Sequence, residues 1–132
     1  MSESRHATPQ LGDRLSVSRS FTVEEVEAFV RISGDRGVHH VVPDADGRLM
    51  VHGLLTATLF TEVGGRLNYL AREMTFEFVR PVFTGDVIAV EFVVDEAVPG
   101  PGRLALAGHA VATNQHGKEV MRATTRGVIL TP

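Results

Sequence analysis

The stretch from His52 to Gly65 constrains the fold more than any other part of the chain. Leu54, Leu55, Ala57, Leu59, Phe60 and Val63 place apolar side chains on nearly every face of a helix, relieved only by Thr56, Thr58, Thr61 and Glu62. A helix with so narrow a polar face is expected to be wrapped by other structure and not to lie on a surface. Its expected end is the pair Gly64-Gly65. The segments C-terminal to it must therefore supply the wrapping.

Immediately after it the periodicity changes from helical to alternating. Met74, Phe76 and Phe78 interleave with Thr75, Glu77 and Val79, Val87 to Val94 is a β-branched run, and Leu104 and Leu106 open a third segment. A last strand is expected from about Lys118 to Leu130. The punctuation is Pro81-Val82-Phe83-Thr84-Gly85-Asp86, the loop Pro99-Gly100-Pro101-Gly102 and the turn Asn114-Gln115-His116-Gly117. One buried helix and several long antiparallel strands imply an α+β domain, an antiparallel sheet curled around the helix. A shorter helix precedes it. Thr22 and Glu25 form a capping box, Phe21 and Val26 sit at staple positions, and Val26, Phe29, Val30 and Ile32 recur at helical spacing until Ser33-Gly34.

With 132 residues the chain is expected to form a single domain from residue 15, after a loose lead-in over residues 1–14. A net charge of -3 with no basic cluster argues against a nucleic-acid or acidic-membrane partner and for a small molecule. Cysteine is absent, which removes disulfides, a thiolate nucleophile and cysteine-ligated zinc. The polar N-terminal residues lack a signal-peptide core, and no segment is long enough to span a bilayer, so a cytoplasmic protein is expected.

Chemistry is expected at Ser33-Gly34-Asp35-Arg36-Gly37-Val38-His39-His40, where a carboxylate and two imidazoles sit on a glycine-broken turn. On a continuous helix Asp35 and His40, five residues apart, would diverge by about 140°; Gly34 and Gly37 break the helix and allow them to converge. The alternative for Asp35 is a turn former. Adjacent His39 and His40 are expected to face differently, one in the site and the other packing or at the surface. Asp35, His39, His40 and His52 are also metal-ligand types, but their spacing matches no recognised zinc or EF-hand pattern, so no metal is expected. Arg66, Arg72 and Arg80 read as solvated, with contact to ligand phosphates as the other possibility.

Taken in order, Phe21-Thr22-Val23-Glu24-Glu25-Val26, Ser33-Gly34-Asp35 with His40, Val51-His52-Gly53-Leu54-Leu55, Phe78 to Asp86 and Asn114-Gln115-His116-Gly117 resemble the MaoC-like (R)-specific enoyl-CoA hydratases. The resemblance runs from Leu15 onward. It implies the hotdog fold, a homodimer, an acyl-CoA or acyl-carrier thioester substrate and no cofactor. By matched position it implies Asp35 and His40 as the pair that holds a water, Gly53 as a backbone donor to the thioester oxygen beside His52, and Thr61 as a polar contact. An acid and a base are what hydration of an α,β-unsaturated thioester requires, and an N–H at a helix start suits a developing oxyanion.

The chain departs from that family at two points. Gly37-Val38 stands where the hydratases carry Asn-Pro, and the connection from His40 to His52 is shorter, Val41 to Arg48 lacking the small helix that shapes the acyl pocket. Three function classes stay open. The first is a hydro-lyase using Asp35 and His40. The second is a hotdog thioesterase, for which Glu62 is the only carboxylate on the central helix. The third is a non-catalytic acyl-thioester binding module.

Overall fold

The computed structural model describes residues 8–132. The expected lead-in over residues 1–14 thus falls, for its first seven residues, outside the described residues. Five strands, β1 (Arg14–Ser20), β2 (Tyr69–Phe78), β3 (Val87–Gly100), β4 (Arg103–Thr113) and β5 (Glu119–Leu130), form one antiparallel sheet in the order β1-β3-β4-β5-β2. Helices α1 (Val23–Ser33), α2 (Val38–Val41), α3 (Gly53–Thr56) and α4 (Thr58–Leu67) complete it. Among the described residues no helix is long and apolar enough to cross a membrane.

The inward face of the sheet is written in the alternation of β3, β4 and β5. Ile88, Val90, Phe92 and Val94 are buried, as are Leu104, Leu106, Ala110 and Ala112, and Val120, Met121 and Ala123. Leu59, Phe60 and Val63 of α4 pack with most of them in one core. Phe60 is the aromatic hinge of this packing, its ring 5.7 Å from Phe92 and 5.8 Å edge-on from Phe76.

The helix laid across this face differs from the expected one in three respects. It is two helices, α3 and α4, joined at Ala57. It runs past Gly64-Gly65 to Leu67, because Asn68 in the left-handed region (φ 55°) supplies the stop, its N–H donating to the Gly64 and Gly65 carbonyls. It is also covered on one side only: Leu54, Thr61, Glu62, Gly65 and Arg66 remain exposed.

At α1 the expected caps are present. Thr22 accepts from the Glu25 N–H at 3.1 Å, Glu25 accepts from the Thr22 N–H at 2.9 Å, and Gly34 closes the helix at φ 76°. Ile32, read as part of the apolar stripe, is instead 79% exposed. Strand β1 has no sequence signature, since only Val17 is buried in it; its pairing with Val87–Val93 of β3 makes it a strand. Beyond Val93, β3 loses that neighbour and becomes an edge. Pro99 and Gly100, expected in a loop, therefore continue the strand opposite Leu104 and Arg103 without breaking a ladder.

Candidate active site

The end of α1 delivers Asp35. Ser33 Oγ donates to the Phe29 carbonyl at 2.7 Å and accepts from the Asp35 N–H at 3.0 Å, so the chain leaves the helix on a fixed heading. The Asp35 carboxylate then accepts from the Gly37 N–H at 3.1 Å, an Asx turn that starts α2. One turn of helix on, His40 is 5% exposed. The break at Gly34 and Gly37 converges the pair: Asp35 Oδ2 lies 3.6 Å from His40 Nε2.

His40 is oriented by a segment ten residues further along the chain. Its Nδ1 lies 2.7 Å from the Met50 carbonyl oxygen. That oxygen can only accept, so Nδ1 carries a proton, and in the neutral imidazole Nε2 then presents a lone pair toward Asp35. Met50 is itself held: its N–H donates to the His39 carbonyl at 2.9 Å, and the flanking Val51 N–H donates to the Val82 carbonyl at 2.7 Å. Thr84 N–H donates to the Leu49 carbonyl, and Thr84 Oγ1 accepts from the Leu49 N–H. The segment Pro81 to Asp86, read from sequence as a strand connector, is thus what fixes the imidazole.

His52 packs face to face on His40, ring centroids 3.7 Å apart and planes 13° from parallel, with Phe29 edge-on to it at 4.9 Å. Its Nε2–H donates to the Asp35 carbonyl at 3.1 Å, tying the start of α3 to the turn that carries the carboxylate. Its Nδ1 is buried without a partner among the described residues. Nitrogen and oxygen atoms of Asp35, His40 and His52 lie within 4.8 Å of one another, a cluster that could suggest a metal ion. The stacking disfavours it: imidazole lone pairs lie in the ring planes, and two nearly parallel planes do not converge on one ion.

Next comes Gly53, the first residue of α3, whose N–H has no partner within the helix. The Phe78 ring lies against it, and a Cβ on Gly53 would stand 2.9 Å from Phe78 Cε1. Asp35, His39, His40, His52, Gly53 and Phe78 all line one open cavity of about 610 Å³. Arg80 also borders it and donates to the Glu119 carbonyl at 2.8 Å, so it is not simply solvated. His39 is exposed where His40 is buried, as expected of two adjacent residues that face differently, yet its ring lies 4.0 Å from that of His40 and it lines the same cavity.

Thr61 is not brought to this cavity. Its hydroxyl donates to the Thr58 carbonyl at 2.7 Å, and it borders a second cavity of about 180 Å³ with Phe60, Gly64, Tyr69, Met74 and Phe92. Glu62 borders neither cavity and is paired with Arg66 at 2.7 Å.

A helix crossing the inner face of a five-stranded antiparallel sheet, with an aspartate and a histidine converging beside its N-terminus, is the arrangement of a hotdog-fold protein. The chain is 32% identical over 96 residues to the (R)-specific enoyl-CoA hydratase of Aeromonas caviae, spanning 64% of this chain and 70% of that protein. The solved structure of the A. caviae (R)-hydratase involved in PHA biosynthesis superimposes with a TM-score of 0.78 at 26% identity, over 96% of this chain and all of that one. The MaoC-like dehydratase from Rhodospirillum rubrum matches in fold with a TM-score of 0.71 at 20% identity, over 94% of each chain. No family model matches. The chain belongs to the MaoC-like family of (R)-specific enoyl-CoA hydratases.

Proposed function

We propose that the protein is a hydro-lyase that adds water reversibly across the double bond of a 2-enoyl-CoA, with Asp35 and His40 as the acid–base pair. The observation that carries this reading is the 3.6 Å approach of Asp35 Oδ2 and His40 Nε2, two hydrogen-bond acceptors when the imidazole is neutral, at the wall of an open cavity. Two acceptors facing one another repel unless a donor lies between them. A water molecule gives one O–H to each and so is held with its oxygen lone pair free.

The reaction is a consequence of that arrangement. The water oxygen bonds to the β carbon while its proton passes to the pair, and the π electrons move onto the thioester oxygen. The Gly53 N–H donates to that oxygen as charge develops. The enolate then collapses, the α carbon takes a proton from the pair, and the carbon–sulfur bond is never broken. Dehydration of a 3-hydroxyacyl thioester is the same path reversed. Thr61, whose hydroxyl is bonded to the Thr58 carbonyl at a separate cavity, is assigned no step. A thioesterase built on Glu62 is disfavoured, since that carboxylate is paired with Arg66 and borders neither cavity.

A homodimer is part of this proposal. Strand β2 is a ten-residue edge whose outer side pairs with no other strand among the described residues, and Leu70, Met74 and Phe78 on it are 53%, 39% and 50% exposed. A second copy would cover such an edge and bring its own residues near Phe78. Sedimentation velocity at micromolar concentration is expected to give twice the chain mass; a monomer would overturn this part. A single domain, whose first strand takes in Arg14 of the expected lead-in and whose Gly12 and Asp13 bond to Val94, and free coenzyme A instead of a carrier protein, in keeping with a net charge of -3 and no basic patch, complete the reading.

The decisive assay incubates the protein with a panel of 2-enoyl-CoA thioesters and follows loss of the conjugated absorbance and release of free thiol in parallel. Enoyl loss without thiol is the expected result. Thiol release would replace the hydratase with a thioesterase, and silence in both channels would leave a binding module.

A further inference from the structure

The His40 imidazole is gripped from two sides. His52 stacks on it at 3.7 Å and 13°, and His39 leans on it at 4.0 Å and 56°. Among the described residues His39 and His52 make no ring contact with each other, so they approach His40 from opposite sides. His52 is buried, whereas His39 is exposed at the wall of the cavity.

His39 reaches this position because residue 37 has no side chain. A Cβ on Gly37 would stand 2.9 Å from His39 Cε1 and 3.5 Å from its Nδ1, the first of these closer than real side chains tolerate. The backbone gives no other reason for glycine: Gly37 sits at φ -49°, ψ 142°, a conformation open to any L-residue. The same Cβ would be 3.4 Å from Asp35 Oδ1. The volume beside the Asp35 carboxylate, which a side chain at position 37 would otherwise fill, is taken by the His39 ring.

We propose that His39 is a positioning residue for the Asp35–His40 pair, acting through ring contact with His40 in space that Gly37 leaves open. The inference rests on the hydratase reading of that pair. His39 transfers no proton here; it closes the second side of an imidazole whose in-plane orientation is set by Met50. Gly37 and His39 therefore act as one unit, and loss of either has one consequence, a His40 ring free to tilt away from Asp35.

The test is a cycle of His39→Ala, His39→Phe, Gly37→Ala and the double variant Gly37→Ala/His39→Ala, read by kinetics and by the NMR resonances of the His40 ring. His39→Ala is expected to lower kcat about tenfold with KM changed less than about twofold, the mark of an effect on the reacting geometry. His39→Phe keeps an aromatic face and no nitrogen, and is expected to restore kcat to within about threefold. Gly37→Ala should match His39→Ala, because its Cβ displaces the ring. The double variant should lose no more than either single one. The His40 resonances should move in His39→Ala and Gly37→Ala and return in His39→Phe.

Losses that multiply in the double variant would overturn the proposal, as would a His39→Phe protein as impaired as His39→Ala. Unmoved His40 resonances would overturn it even if turnover fell. A wild-type protein that hydrates no enoyl thioester would instead sink the reading of the site, while the resonances would still report whether His39 holds the ring.

Discussion

Replacing Asp35 by Asn is expected to lower hydration about a thousandfold while leaving the fold intact, the size of effect attached to a proton-transferring group. The amide keeps the shape of the Asx turn, since its oxygen still accepts from the Gly37 N–H. What it loses is the second acceptor for the water held against His40 Nε2, 3.6 Å away. Activity within tenfold of wild type, in a protein with an unchanged melting curve, would remove Asp35 from the mechanism. The carboxylate is also held in its charged form. The Gly37 N–H donated to it outweighs the cost of desolvation, and His40, His52 and His39 add to this when they carry a positive charge, so its pKa lies below the ordinary 3.8. A folded pKa below the unfolded one contributes stability that is present above the unfolded value and lost as pH falls through the folded one. Asp35 therefore stays ionised throughout the neutral and mildly acidic range, and titration of its carboxyl carbon by NMR is expected to show no protonation step above about pH 5.

The second large effect is on stability and comes from the far end of the sheet. Gly127 lies where β2 crosses β5, opposite Ala71 and beside the irregularity between Ala71 and Glu73. A Cβ there would stand 2.2 Å from the Leu70 carbonyl oxygen and 2.9 Å from the Ala71 Cα. Both are backbone atoms, so no rotamer relieves the collision and the two strands must part. Gly127→Ala is expected to cost about 3 kcal/mol, which for a domain of this size lowers the melting temperature by about 10 °C. Because β2 ends in Phe78, which lies on Gly53, activity should fall along with stability. Gly65→Ala is the control. Gly65 is an exposed helical position with nothing within 4 Å of an added Cβ among the described residues, and is expected to gain about 0.5 to 1 kcal/mol. A Gly127→Ala melt within about 2 °C of wild type would show that the sheet can yield there.

Much of the architecture is local and therefore legible. The capping box at Thr22 and Glu25, the αL stop at Gly34, the alternation of β3, β4 and β5 and the turn at Asn114 to Gly117 depend on residues within a few positions of one another. The same holds for Asp35 and His40, whose convergence comes from a helix broken by glycine. Strand β1 is not legible, because one buried residue in seven leaves no period and only the neighbouring β3 makes it a strand. The single central helix and its stop at Gly64-Gly65 fail for a related reason. Glycine lowers helix propensity, but here Leu67 is packed against the core and Asn68 adopts the left-handed cap, so tertiary contacts carry the helix through.

By itself the sequence determined that Asp35 and His40 could meet and which layers form, because residue type, period and turn residues are properties of short windows. The tertiary structure decided how the chemistry is aimed. Leu49, Met50 and Val51 meet Val82, Phe83 and Thr84 across more than thirty residues, and that pairing turns a backbone carbonyl toward His40 Nδ1 and its lone pair toward Asp35. It also set His39 on His40 and sent Thr61 to a different cavity. A tautomer and a ring plane are fixed by groups that touch in space, and no short window of sequence shows that they will meet.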